Sequence, residues 1–133
     1  MTASKKISEA QTILHKMQNT SQDIHLDTNN FVRTIHDMFS HLLDEYNVKF
    51  GLEMNHVNLE KFKSYARKTG KIEAINFLIW YEKEYKKLRN NQEFGKLLEK
   101  EYVPTKNNAD VVRLCSILLD EAKKMAYYAY ENF

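Results

Sequence analysis

From Ser4 to Asn19 the apolar residues Ile7, Ala10, Leu14 and Met17 recur every three or four positions, with polar and charged residues between them. That spacing puts them on one narrow helical stripe and predicts a first helix over 4–19. Asn19-Thr20-Ser21-Gln22-Asp23 reads as a loop. Beyond it, Phe31, Ile35, Met38, Phe39, Leu42, Leu43 and Tyr46 share a single helical face. A second helix is predicted there. Asp27 or Thr28 would cap it by accepting an unpaired backbone N–H, and Gly51 lies just past its end.

Asn58 is positioned to cap a short third helix, Leu59 to Thr69, which Gly70 stops. A fourth helix is predicted from Lys71 to about Asn90. Its apolar arc is wide: Ile72, Ala74, Ile75, Phe77, Leu78, Ile79, Tyr81, Tyr85 and Leu88. A helix so apolar should touch several neighbours, so it is expected to be central. Glu93 to Glu101 forms a short fifth segment carrying Phe94, Leu97 and Leu98. After Pro104, Asn107 or Asn108 would cap a last helix from Ala109 to about Glu131. Its buried seam is Val111, Leu114, Cys115, Leu118, Ala122, Met125 and Ala129. The expected fold is all-α: an antiparallel helical bundle of four long helices plus one or two short ones. No repeat or linker interrupts 1–133, so a single domain is expected.

Composition strengthens the helical reading. Three glycines and one proline in 133 residues are too few for the turns of a sheet protein. Cys115 is the only cysteine, so no disulfide can form within the chain, which fits a reducing compartment. MTASKKISEAQ holds no apolar run of signal-peptide length. The longest apolar stretch, Phe77 to Tyr81, is far too short to span a bilayer. A soluble, cytoplasmic protein without a membrane partner is the expectation.

The net charge of +2 hides an uneven distribution. Residues 23–53 hold six acids and two bases, whereas 61–100 hold eleven bases and five acids. Lys61, Lys63, Arg67, Lys68, Lys71, Lys83, Lys87 and Arg89, with Trp80 among them, are candidate nucleic-acid contacts, since bases flanked by aromatics can grip phosphates and stack on nucleobases. The bland alternative is a pair of solvated, mutually complementary helix faces, favoured by the interleaved Glu73, Glu82, Glu84, Glu93 and Glu99.

Asp37, His41 and Glu45 stack at i, i+4, i+8 and offer ligand types suited to a divalent metal. Asp37 and His41 point away from the apolar face, however, with Glu45 at its flank, and no other helix offers a Glu-x-x-His or His-x-x-x-His partner, so no metal and no cofactor are expected. Cys115, mid-seam, is expected to behave as a small hydrophobe. The glycines are too scattered for a phosphate loop or a nucleophile elbow. Trp80 falls among Glu73, Asn76, Lys83, Glu84 and Lys87. It is either an exposed anchor or a ring covered by a short helix or the N-terminal segment. Ile117, Tyr127 and Tyr128 lie off the last helix's seam and suggest self-association as a homodimer.

The stretch FLIWYEKEYKKLRNNQEFGKLLEKEYVPTKNNADVVRL, residues 77–114, resembles the HEPN-like helical proteins. In catalytic members, the resemblance implies, the turn before the last helix carries an arginine and a histidine, and two subunits bring these together to cleave RNA. Here Glu101 stands in the arginine's place, and Lys106 or Asn107 in the histidine's. No histidine follows His56. The resemblance therefore implies a non-catalytic member. The first expectation is a self-associating binding or scaffold bundle. A nucleic-acid-binding module is the alternative, and an RNA-cleaving enzyme ranks last.

Overall fold

The computed structural model describes residues 2–19, 24–51, 59–98 and 108–131. Five α-helices account for almost all of them: α1 Ala3–Asn19, α2 Ile24–Lys49, α3 Leu59–Thr69, α4 Ile72–Arg89 and α5 Asn108–Glu131. A 3-10 turn, Gly95–Leu98, follows α4. No strand occurs among the described residues. The fold is an all-α bundle, and the predicted helix positions agree with it to within a few residues.

Cross-helix contacts fix the directions. The Ala3 N–H donates to Glu45 Oε1 at 2.8 Å, and Lys16 pairs with Asp27 at 3.2 Å, so α1 and α2 are antiparallel. Phe39 meets Tyr85, and Tyr46 meets Phe77, so α4 runs antiparallel to α2. Trp80 meets Tyr128, and Glu93, just past the end of α4, pairs with Arg113 near the start of α5, so α5 runs antiparallel to α4. The four long helices thus alternate up and down. The short α3 lies against α4, tied by Phe62 on Phe77 and by the Lys63–Glu82 ion pair.

Three expectations need correction. Helix α4 does touch several neighbours, α2, α3, α5 and the 3-10 turn, but the element with the most is α2, which packs on α3, α4, α5 and the 3-10 turn and on α1 as well. The wide arc of α4 is not all buried: Ile72 is 72% and Ile79 62% exposed on its outer face. Ala74, Phe77, Leu78, Tyr81 and Leu88 of α4 are fully buried, and Ile75, Trp80 and Tyr85 pack partly buried against the core. Finally, α2 starts at Ile24, so Asp27 lies in its first turn and Thr28 just beyond it, neither at its cap. Thr28 is buried and its hydroxyl donates back to the Ile24 carbonyl at 2.6 Å. Asp27 instead receives Lys16 from α1. A tertiary partner has taken the carboxylate that local sequence assigns to capping.

Gly70, with φ of 65°, ends α3 in the left-handed conformation that a side chain disfavours. The Asn91 side chain organises the exit from α4 by accepting the N–H groups of Glu93 and Phe94 at 2.8 and 3.0 Å. Asn58 and Asn107, both expected as caps, lie outside the described residues, and Asn108 is the first residue of α5.

Candidate functional site

Small residues let some helices approach closely. Ala3 and Ala10 of α1 and Ala122, Ala126 and Ala129 of α5 are buried, and α1 packs along both α2 and α5. The opposite side of α5 is different. There α5 meets α4 mainly through two large rings, and the backbones stay apart. Trp80 and Tyr128 stack with centroids 5.1 Å apart and planes 26° from parallel. Tyr128 remains 51% exposed while Trp80 is half-buried against the core. The pair forms a bar across an open groove, with a cleft on either side.

The cleft toward the 3-10 turn has a volume of about 620 Å³. Leu88, Phe94 and Met125 form its apolar floor, and Ile117 and Tyr128 line the α5 wall. Its rim carries two acid–base doublets, each closed within its own helix: Glu84–Lys87 at 3.2 Å on α4 and Glu121–Lys124 at 3.1 Å on α5. Pairs this exposed contribute little to stability and exchange partners readily. The second cleft, about 430 Å³, lies toward α2 and is walled by Tyr46, Phe50, Phe77, Trp80 and Tyr128.

The residues expected from sequence are distributed as follows. Trp80 is half-buried, but Phe77 of its own helix and Tyr128 of α5 lie against it, not the short helix or N-terminal segment expected to cover it. Ile117 and Tyr128 line the α4/α5 groove together, whereas Tyr127, 49% exposed, is absent from that lining. The basic set is partly committed. Lys63 pairs with Glu82 and Lys87 with Glu84. The Lys71 ammonium donates to the Phe50 carbonyl at 2.5 Å and so caps the C-terminus of α2. Lys61, Arg67, Lys68, Lys83 and Arg89 are exposed on α3 and α4. Glu101, Lys106 and Asn107 lie outside the described residues.

The Asp37/His41/Glu45 column is split among different partners. Asp37 faces Lys6 at 3.9 Å, His41 faces Asp44 at 3.7 Å, and Glu45 accepts the Ala3 N–H. Among the described residues no three His, Cys, Asp or Glu side chains cluster as a metal site would require. Burial pushes the Cys115 thiol up to about 12, so it stays protonated at neutral pH. Burial also holds the phenols of Tyr46 and Tyr81 well above their ordinary range. It lowers the His36 imidazole, which hydrogen-bonds the Leu98 backbone where α2 meets the 3-10 turn.

Sequence reading gathered Glu73, Asn76, Glu84 and Lys87 around Trp80 but not Glu121, Lys124 or Lys49. The Glu-x-x-Lys doublets at 84 and 121 were a usable signal for the rim. Nothing local connects Lys49, at the end of α2, to the start of α4.

Comparison of the chain with family models, with curated proteins and with solved structures finds no match.

Proposed function

We propose that this chain is a non-catalytic binding module that self-associates through the groove between α4 and α5, in keeping with a degenerate HEPN-like bundle. The observation that carries this is the rim of the larger cleft. Along each wall an acid is followed three residues later by a base, Glu84 then Lys87 and Glu121 then Lys124. A two-fold axis through the groove would set Glu84 of one copy opposite Lys87 of the other, and Glu121 opposite Lys124. The pattern is self-complementary, as an isologous interface demands. Half-exposed Tyr128 and Trp80, with Ile117, supply the apolar centre that such an interface needs.

Trp80 is the only tryptophan, so its emission reports on the groove directly. On dilution, the emission should shift to longer wavelength and become more open to iodide quenching. Ile117→Glu should show the dilute-state spectrum at every concentration while keeping its helical circular dichroism. A spectrum independent of concentration in the wild type would count against the groove as the contact face.

The nucleic-acid alternative draws on Arg67, Lys68, Lys83 and Arg89, exposed on α3 and α4. It is weakened because Lys63, Lys71 and Lys87 already serve internal partners. A gel shift with single-stranded RNA at two salt concentrations separates the two, since phosphate binding falls steeply with salt.

A further inference from the structure

The smaller cleft, on the α2 side of the Trp80–Tyr128 bar, differs from the larger one in its polar groups. Its walls are aromatic: Tyr46 stacks on Phe77, Phe77 lies 5.8 Å from Trp80, and Trp80 stacks on Tyr128. Three polar side chains, Lys49, Glu73 and Asn76, also line it. None of them makes an ion pair or side-chain hydrogen bond among the described residues. The charges of the neighbouring cleft, by contrast, are closed within their own helices. One cation, one anion and one amide therefore stand uncommitted around an apolar slot. At about 430 Å³ its volume falls within the range of small-molecule sites.

We infer that this cleft binds a free aromatic α-amino acid as its zwitterion. The side-chain ring would lie against the aromatic wall, where offset or edge contacts between rings are favourable. The ammonium group would meet the Glu73 carboxylate, with the ring faces adding cation–π attraction. The carboxylate would meet the Lys49 ammonium, and Asn76 can donate to it or accept from the ammonium. A simple cation would leave Lys49 opposed, and a simple anion would leave Glu73 opposed. Only a ligand bearing both charges on a short backbone satisfies both, and a peptide end supplies just one of them.

The test is calorimetric titration of the full chain, at one fixed protein concentration, with L-phenylalanine, N-acetyl-L-phenylalanine and L-phenylalanine amide. L-phenylalanine should bind, and each derivative, having lost one charge, should bind about two- to fivefold more weakly, as expected for one exposed ion pair. Glu73→Gln should abolish the discrimination against the N-acetyl derivative alone. Lys49→Met should abolish the discrimination against the amide alone. Both side chains are exposed, so neither variant should unfold the bundle. No heat with L-phenylalanine at about 10 mM, equal binding of all three compounds, or unchanged discrimination in the two variants would each overturn the assignment.

Discussion

The phenol of Tyr46, near the C-terminal end of α2, donates a buried 3.1 Å hydrogen bond to the carbonyl of Ala129 in the last turn of α5. The final carbonyls of a helix have no acceptor role within it, so a side chain from α2 serves as a cap for α5. Tyr46→Phe keeps the ring and removes the donor. The variant should lose about 1–2 kcal/mol in urea unfolding, with the m-value unchanged. No loss would mean that the Ala129 carbonyl finds another donor at no cost.

Cys115 is 0% exposed, and its neighbour along the α5 seam, Leu118, is equally buried. A thiol reagent should label the native protein only as fast as the bundle opens. Leu118→Ala should destabilise by about 2–5 kcal/mol and accelerate labelling correspondingly. Rapid native labelling of the wild type would place the rotation of α5 in error.

Gly70 and Gly95 differ in why they are glycine. A Cβ on Gly70 meets no atom within 4 Å, so only its φ of 65° opposes a side chain. Gly70→Ala should cost about 1 kcal/mol. At Gly95 an added Cβ would run into the backbone carbonyl of Arg89, which cannot move without disturbing the end of α4. Gly95→Ala should cost clearly more, about 2–3 kcal/mol. Thermal unfolding of the two variants side by side gives the order.

Burial lowers the His36 pKa in the folded chain, outweighing the hydrogen bond to Leu98 and the nearby Asp37, which raise it; Arg89 reinforces the lowering. The unfolded chain therefore takes up a proton at a higher pH than the folded one. Stability from this residue is complete above the unfolded value of about 6.5 and is lost as pH falls from there through the folded pKa. Urea unfolding between pH 7.5 and about 5 should fall more steeply in the wild type than in His36→Gln. Parallel curves would remove His36 from the pH response.

Helix positions were legible because period and punctuation agree. Leu59 to Thr69 was read from its caps alone, and the seam of α5 from its spacing. What sequence could not supply was the identity of each helix's neighbours. Ile72 and Ile79 sit in the apolar arc by composition yet face outward, because α3 and α5 flank α4 without covering its outer side. The same limit hid the site. Ile117 and Tyr128 leave the seam, but the stacking of Tyr128 on Trp80, and the groove that Ile117 lines with them, depend on α4 and α5 being adjacent and antiparallel. The role of Lys71 as a cap on α2 depends on the fold of the α3–α4 hairpin, and its charge alone pointed to nucleic acid instead.

The most direct test of self-association through the α4/α5 groove is sedimentation equilibrium of the wild type beside Ile117→Glu. The wild type should approach twice the mass of the 133-residue chain by about 100 µM, with the variant held at the single-chain mass. A wild type that stays at the single-chain mass over that range would contradict the account, as would a variant that dimerises equally well.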